Sequence, residues 1–215
     1  NIFSKYKVPS AQFELVDNID DAIKVFNQIN KPCAIKAVDS SASRGITKVS
    51  KPSEIPKAFA NAQLVSNSKW ILVEEWLEGE EYGAQAIVEN GEVKLVIIHS
   101  DEVTPPPRAI PVGHGAPHIN ESQIYDSTVD AIILAIKAME IDQCIANVDL
   151  IWTKEGPHII EIGARMGGTC LPEICGGWWG VNLYEIAINL ALGKPIDISN
   201  SPQGVPTAAH LLWSD

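Results

Sequence analysis

The stretch that most narrows what this chain can become runs from Ala146 to Gly168, ANVDLIWTKEGPHIIEIGARMGG. Two β-rich runs, Asn147–Trp152 and His158–Gly163, flank the turn-forming Lys154-Glu155-Gly156-Pro157, a pattern that predicts a hairpin. With a loop symmetric about Glu155, antiparallel pairing sets Asp149 directly opposite Glu161 on one face of the sheet. Facing carboxylates repel, and the flanking Val148, Leu150, Ile160 and Ile162 are apolar, so the pair invites a cation. A hard divalent ion suits it, because Mg2+ takes one or two protein carboxylates and fills its other positions with water and phosphate oxygens. The competing reading is an exposed acid on an edge strand beside an unrelated one. A one-residue change of register would put the two acids on opposite faces.

The 215 residues, 46% of them hydrophobic, suffice for a core in one domain or in two closely packed lobes. No apolar run approaches the length of a membrane span, and the start NIFSKYKVPSAQF lacks the apolar stretch of a signal peptide, so a cytoplasmic protein with no membrane partner is expected. A formal charge of −11 argues against a nucleic-acid surface, since duplex binding depends on Lys and Arg neutralising phosphates. Any phosphate site must therefore be local. Cys33, Cys144, Cys170 and Cys175 show no CxxC spacing and sit in apolar or Gly-rich contexts, which reads as buried free thiols.

Residues 1–16 read as an extended entry segment shaped by Val8-Pro9, and the chain reads as starting mid-fold. Asp17 or Asn18 can cap a helix through Asn30, ended by Lys31-Pro32. Cys33–Val38 is then an almost wholly apolar strand holding one lysine, Lys36, which needs a partner. The small polar run Asp39–Gly45 and a short strand, Ile46–Val49, follow. Its serines, backbone N–H groups and Arg44 could wrap phosphates, and a plain Ser-rich surface loop would read the same. A helix is expected from Ser53 to about Ser66, and a strand over Trp70–Leu77. Gly83–Glu89 should pair with Glu92–His99 across Asn90-Gly91. Residues 100–120, with three consecutive prolines, read as one long loop. In it, Gly115 and Pro117 rule out a helical zinc face for His114 and His118, and a single histidine contacting substrate is the better reading. Glu121 to about Glu140 is patterned as an amphipathic helix with Ile124, Val129, Ile132, Ile133, Ile136 and Met139 inward. A last helix near Asn182–Leu192 closes at Gly193, Trp178 and Trp179 have no assigned role, and Thr207–Trp213 reads as a strand.

The strand lysine before a small-residue loop, the strand ending E-E-W-L-E-G-E-E, and the Asp/Glu hairpin followed by G-A-R-M-G-G together resemble the ATP-grasp superfamily. The closest flavour is that of carboxylate–amine ligases and carbamoyl-phosphate-synthase-like members. The resemblance covers nearly the whole chain, and it is the order and spacing of the motifs that carry it. It implies an α+β (α/β) fold of two lobes, residues 1–77 and 78–215, with nucleotide held between them and an N-terminal domain lying outside this chain.

Carried over by position, the resemblance makes Lys36 a phosphate-binding lysine and places Ser41, Ser43, Arg44 and Gly45 in the phosphate-covering loop. Glu74 and Glu75, with backbone groups of Trp76 and Leu77, would read the adenine amine, and Glu81 would hold the ribose. Asp149 and Glu161 become Mg2+ ligands, Arg165 stabilises the transferred phosphoryl group, and His114 lies near the substrate carboxylate. Two departures stand out: Gly163 occupies a position where many relatives have asparagine, and a second phosphate lysine has no counterpart here. The implied reaction is ATP- and Mg2+-dependent activation of a carboxylate as an acyl-phosphate for attack by an amine, without a side-chain nucleophile. Activation of bicarbonate or carbamate, a hydrolase using Asp149 and Glu161, and a nucleotide-binding domain without turnover are the alternatives. Small-molecule carboxylates and amines are the expected partners, and association into a homodimer is left open.

Overall fold

The computed structural model describes residues 2–40, 44–104, 111–198 and 202–212. Their elements run α1 (Ile2–Tyr6), β1 (Phe13–Val16), α2 (Ile19–Ile29), β2 (Cys33–Ala37), β3 (Ile46–Val49), a 3-10 turn at Pro52–Glu54, α3 (Ile55–Val65) and β4 (Ile71–Glu75). The chain continues with β5 (Glu80–Glu89), β6 (Glu92–Val103), β7 (Pro111–Ala116), α4 (Glu121–Ala138), β8 (Cys144–Thr153), β9 (Gly156–Gly163), α5 (Leu171–Trp179), α6 (Leu183–Ala191) and β10 (Thr207–His210). Two compact units result. The smaller comprises residues 11–77, and the larger takes residues 2–10, 78–104 and the described chain from Pro111 onward.

The smaller unit is an antiparallel sheet ordered β1-β4-β2-β3. Period-two alternation turns Cys33 and Ile35 of β2 and Ile71 and Val73 of β4 into one core with Phe26 of α2 and Phe59 of α3. Burial of Phe26, 8% exposed, is worth about 1.5–3 kcal/mol. Asn18 starts α2 by accepting the Asp21 N–H at 2.9 Å, a cap worth about 1 kcal/mol, and Asn30 ends it in the left-handed region at φ 54°. The opposite face of this sheet carries Lys36 and Glu74. These are diagonal neighbours, because Ala34 pairs with Glu74 and Lys36 with Leu72.

The larger unit is a six-stranded antiparallel sheet ordered β10-β7-β6-β5-β8-β9. One face is apolar along its length: Tyr82, Ala84, Ala86, Val96, Ile98, Val148 and Leu150 pack under Ile124, Ile132 and Ile136 of α4. The other face is divided. Ile87, Leu95, Ile97 and Ile145 are covered by Leu171, Ile174 and Trp179 of α5 and by Leu183, Ile186 and Leu190 of α6. Toward the other end of the same strands the residues on this face turn polar, and that is where the candidate site lies.

Several expectations need correction. The entry segment is not extended throughout, because Ile2–Tyr6 form a short helix and Phe3 packs against the core under α4. The stretch 100–120 is not one loop. β6 continues to Val103, and β7 pairs with both β6 and β10, so Gly113 and Gly115 sit in a ladder despite their low strand propensity. The helix expected from Ser53 begins at Ile55 after a 3-10 turn. Met139 is 46% exposed, because α4 ends before it and its side chain leaves the buried stripe. Trp178 and Trp179, which the sequence leaves without a role, end α5, which takes in Gly176 and Gly177 and sets Trp179 in the core. Cys33 and Cys175 are buried, Cys144 is half-buried and Cys170 is exposed. β10 ends at His210, and Trp213 lies outside the described residues.

Candidate functional site

Four neighbouring strands of the larger sheet line up one rung of residues, His99 on β6, Gly83 on β5, Asp149 on β8 and Glu161 on β9. Cross-strand partners share a face, so all four point to the same side. Residues two positions away add Asp101, Glu81, Gln85, Asn147 and Gly163, and His114 of β7 joins them as the partner of Asp101. Gly83 is the gap in this row. A Cβ built there would lie 2.6 Å from His99 Nε2, so the imidazole rests directly on the glycine backbone.

The facing of Asp149 and Glu161 arises differently from the simple loop expected. The turn end of the hairpin pairs Thr153 with Gly156 and Leu150 with Ile159, a register that on its own would set Ile160 opposite Asp149. A bulge leaves Ile160 without a ladder partner and moves Glu161 into that place. It also lets Ile159 and Ile162, three apart, both pack in the core under α4.

A hydrogen-bonded chain holds Asp149. Gly167 N–H donates to Gln85 Oε1 at 2.9 Å, Gln85 Nε2 donates to Asn147 Oδ1 at 2.6 Å, and Asn147 Nδ2 donates to Asp149 Oδ1 at 2.9 Å. Asn147 N–H also donates to Arg165 O at 2.9 Å. The loop after β9 is thus fastened to β5 and β8 at two points. Gly167 is required by the closeness of this contact, since a Cβ would lie 2.5 Å from Asn147 Oδ1 and 2.9 Å from Gln85 Nε2. Arg165 is exposed in the loop after β9, its Nη1 donating to Met166 O at 2.7 Å.

His114 belongs to a second cluster on the same face. Asp101 Oδ1 accepts from His114 Nδ1 at 2.6 Å and from His99 Nδ1 at 3.0 Å, while His114 Nε2 lies 2.9 Å from Thr169 Oγ1. An ionised Asp101 can only accept, so both imidazoles carry Nδ1–H. Burial pushes the Asp101 carboxyl up, but the hydrogen bonds and charges of His114 and His99 outweigh it and hold it down at about 2. His118 stands apart, its Nδ1 accepting the Asn120 N–H at 3.0 Å and its ring edge-on to Tyr82. Burial lowers its pKa against the pull of Glu80.

Electrostatics favour a cation at the hairpin. Burial raises the Asp149 carboxyl, and the negative charges of Asp101 and Glu161 raise it further. All-oxygen donors crowded by like charge suit a hard divalent ion such as Mg2+, which would draw on Asp149 and Glu161 and relieve that crowding.

In the smaller unit, Lys36 has the partner its burial demanded, Glu74, with the two side chains 19% and 10% exposed. Glu75 pairs with Lys31. The Trp76 N–H is taken by Pro32 O at 2.8 Å, and its ring lies 4.6 Å from Lys48 Nζ, so of its backbone groups it is the carbonyl that this bond leaves available. Leu77 is half-buried at the end of this unit. Arg44 and Gly45 form the turn entering β3, where Gly45 O accepts the Ala37 N–H at 3.2 Å, while Ser41 and Ser43 lie outside the described residues. Glu81, on β5, is exposed on the polar face two residues from Gly83.

Sequence reasoning passed over His99, Asp101, Gln85, Asn147 and Thr169. A signal for three of them was present: His99-x-Asp101 and Asn147-x-Asp149 each repeat with the strand period, which places both members of a pair on one face. The first pair escapes a reading in which the strand stops at His99. Thr169 reaches His114 through a backbone in the left-handed region, φ 49°, followed by Cys170 at φ 66°, which local sequence does not announce.

With this geometry in view, comparison with known proteins is informative. Phosphoribosylamine–glycine ligase of Listeria monocytogenes is 28% identical over 179 residues, covering 76% of this chain and 42% of its own length. The crystal structure of phosphoribosylglycinamide synthetase from Anaerococcus prevotii superposes with a TM-score of 0.75 at 29% identity, covering 98% of this chain and 53% of the other. That of L-amino acid ligase from Bacillus licheniformis does so with a TM-score of 0.75 at 20% identity, covering 94% and 46%, and supports the fold alone. The chain thus spans about half or less of these relatives. The family model of the ATP-grasp domain matches residues 29–173, and the chain belongs to the ATP-grasp family.

Proposed function

We propose that this chain is the nucleotide-binding and phosphoryl-transfer part of an ATP- and Mg2+-dependent carbon–nitrogen ligase, which activates a carboxylate as an acyl-phosphate for attack by an amine. The observation that carries this reading is the facing pair Asp149 and Glu161, held in register by the Ile160 bulge and fixed through Asn147 and Gln85. Relatives more than a quarter identical, among them a phosphoribosylamine–glycine ligase and a phosphoribosylglycinamide synthetase, support the reaction class.

In this reading Asp149 and Glu161 would hold Mg2+, which when bound neutralises charge along the triphosphate. Lys36 exchanges its contact with Glu74 for phosphate oxygens, and Arg44 and Gly45, with Ser41 and Ser43, close over them. Glu74, Glu75, Trp76 and Leu77 receive the adenine, and Glu81 the ribose. Arg165 faces the γ-phosphoryl group and stabilises the charge that builds during transfer to the substrate carboxylate. His114, held at Nδ1 by Asp101, would orient that carboxylate by carrying a proton on Nε2 as well and donating it in place of its contact with Thr169. Asp and Glu act as ligands here and not as an acid–base pair, so no side chain is acylated or phosphorylated.

Calorimetric titration of this chain with ATP, with and without Mg2+, tests the site. Mg2+-dependent binding that is weakened at least about tenfold by Glu161→Ala is expected. Equal affinity with and without Mg2+, or an unchanged Glu161→Ala variant, would overturn the metal assignment. Phosphate release by the full-length parent in the presence of paired carboxylates and amines tests the ligase reading.

A further inference from the structure

We propose that His99, Asp101 and His114 form a second metal site, one for a divalent transition ion of the Zn2+ class, distinct from the hard-ion pair on the hairpin. Their candidate ligand atoms, two imidazole nitrogens and a carboxylate oxygen, all lie within 4.8 Å of one another. The strands dictate this closeness. His99 and Asp101 are two apart on β6, and His114 is the cross-strand partner of Asp101 on β7.

The ligand atoms already converge. Ligands about 2.1 Å from a tetrahedral ion stand about 3.4 Å apart. Here the Nδ1-to-oxygen separations are 3.0 Å for His99 and 2.6 Å for His114, hydrogen-bond lengths that need to open by less than about 1 Å to admit the ion. Ligand chemistry separates this cluster from its neighbour: imidazole nitrogens suit Zn2+, Cu2+, Fe2+ or Ni2+, whereas Mg2+ prefers oxygens throughout.

The surroundings also fit. A ligating histidine keeps a partner on its other nitrogen, and His114 Nε2 has Thr169 Oγ1 at 2.9 Å. For His99 the fit is poorer: its Nε2 has no partner among the described residues, on a side chain only 1% exposed, and the metal bond must outweigh the cost of burying that N–H. In the metal-free state both Nδ1–H groups donate to Asp101; a ring that coordinates through Nδ1 carries its proton on Nε2, where that of His114 is donated to Thr169. The carboxylate then bonds the ion in place of two N–H groups, and a position remains for water or a substrate group.

The test uses this chain with exposed Cys170 changed to Ser, stripped by chelator and kept in excess Mg2+ so that hard-oxygen sites are filled. Zn2+ is titrated calorimetrically, and Co2+ is followed by its visible absorption. One equivalent should bind, with affinity falling by at least about tenfold in Asp101→Asn and in His114→Gln while Asp149→Asn keeps it. Absence of stoichiometric binding, or binding indifferent to Asp101→Asn and His114→Gln, would refute the site. Should those variants unfold, long-range 1H–15N spectra of the histidines in the otherwise unaltered chain decide the matter. Zn2+ must move the ring protons of His99 and His114 from Nδ1 to Nε2, and protons that stay on Nδ1 in both rings defeat the proposal. Neither readout depends on nucleotide or on turnover, so failure here is separate from failure of the ligase reading.

Discussion

Asp149 stands opposite Glu161 because Ile160 has no partner in the ladder. In a regular strand continued from the Leu150–Ile159 pair, Glu161 would meet Val148 and point into the core under α4. The bulge instead sends Ile159 and Ile162 inward and Glu161 to the polar face. Two like charges are held together by a local irregularity, an arrangement that costs stability and that a shared cation would relieve.

Deleting Ile160 should therefore leave the acids facing each other, since a regular strand without it again places Glu161 opposite Asp149. The variant is expected to fold cooperatively, with a melting temperature lowered by no more than about 8 °C for the lost packing of a half-buried side chain. Loss of a cooperative melt would show that the extra twist of the bulge is itself required.

Asp149→Asn should stabilise the metal-free chain. The folded carboxyl is raised above its ordinary 3.8, so the native state binds more protons than the unfolded state between the two values, and stability falls as pH rises through that window. Asparagine removes the like charge and can still accept from Asn147. A gain of about 0.5 kcal/mol is expected at neutral pH, shrinking toward zero below about pH 4. Thermal melts across pH, without divalent ions, provide the check; a less stable variant at pH 7 would contradict the crowding.

Much of the fold could be read from the sequence because local and global signals agree there. Asn18 and Asn182 both cap the helices they precede, Asn90-Gly91 does turn β5 into β6, and the apolar Cys33–Ala37 run is a buried strand. What stayed hidden depends on tertiary context. The strand β7 contains Gly113 and Gly115, and nothing local favours a strand there; pairing with β6 and β10 supplies it. The Ile160 bulge was implicit in the three-residue spacing of Ile159 and Ile162, which alternation alone cannot satisfy. The union of His99, Asp101 and His114 needed knowledge of which strands are neighbours.

Gly83→Ala should be strongly destabilising although its backbone is not in the left-handed region. The new methyl would collide with the fully buried His99 ring, 2.6 Å from Nε2. Overpacking of this kind costs about 1–3 kcal/mol. Adding His99→Ala should recover most of it, because the ring is the obstacle. A double variant as unstable as the sum of the two single changes, measured by urea midpoints, would place the cause elsewhere.

Lys36 and Glu74 are mostly buried partners, so removing one strands the other. Lys36→Met is expected to cost about 2 kcal/mol, and Lys36→Met with Glu74→Leu to regain at least half of it. The double variant should fold yet fail to bind Mg2+-ATP, which separates stability from nucleotide binding for the pair, Glu74 being itself placed at the adenine. Full retention of nucleotide affinity in that variant would remove Lys36 from the phosphate site.

Asp101→Asn should show a pH dependence of the opposite sense to that of Asp149→Asn, even though both aspartates lie on one face of one sheet. His114 and His99 hold the Asp101 carboxyl at about 2, below its ordinary 3.8, so here the unfolded state binds more protons between these values. The stabilisation is present in full above about pH 4 and disappears as pH falls toward 2. At pH 7 the variant is expected to be less stable by on the order of 1–2 kcal/mol, and the gap should close in acid. Melts of the two variants over the same pH series thus test the electrostatic map as a whole. If both changed stability in the same direction at neutral pH, Asp101 could not be the ionised centre on which the two histidines converge.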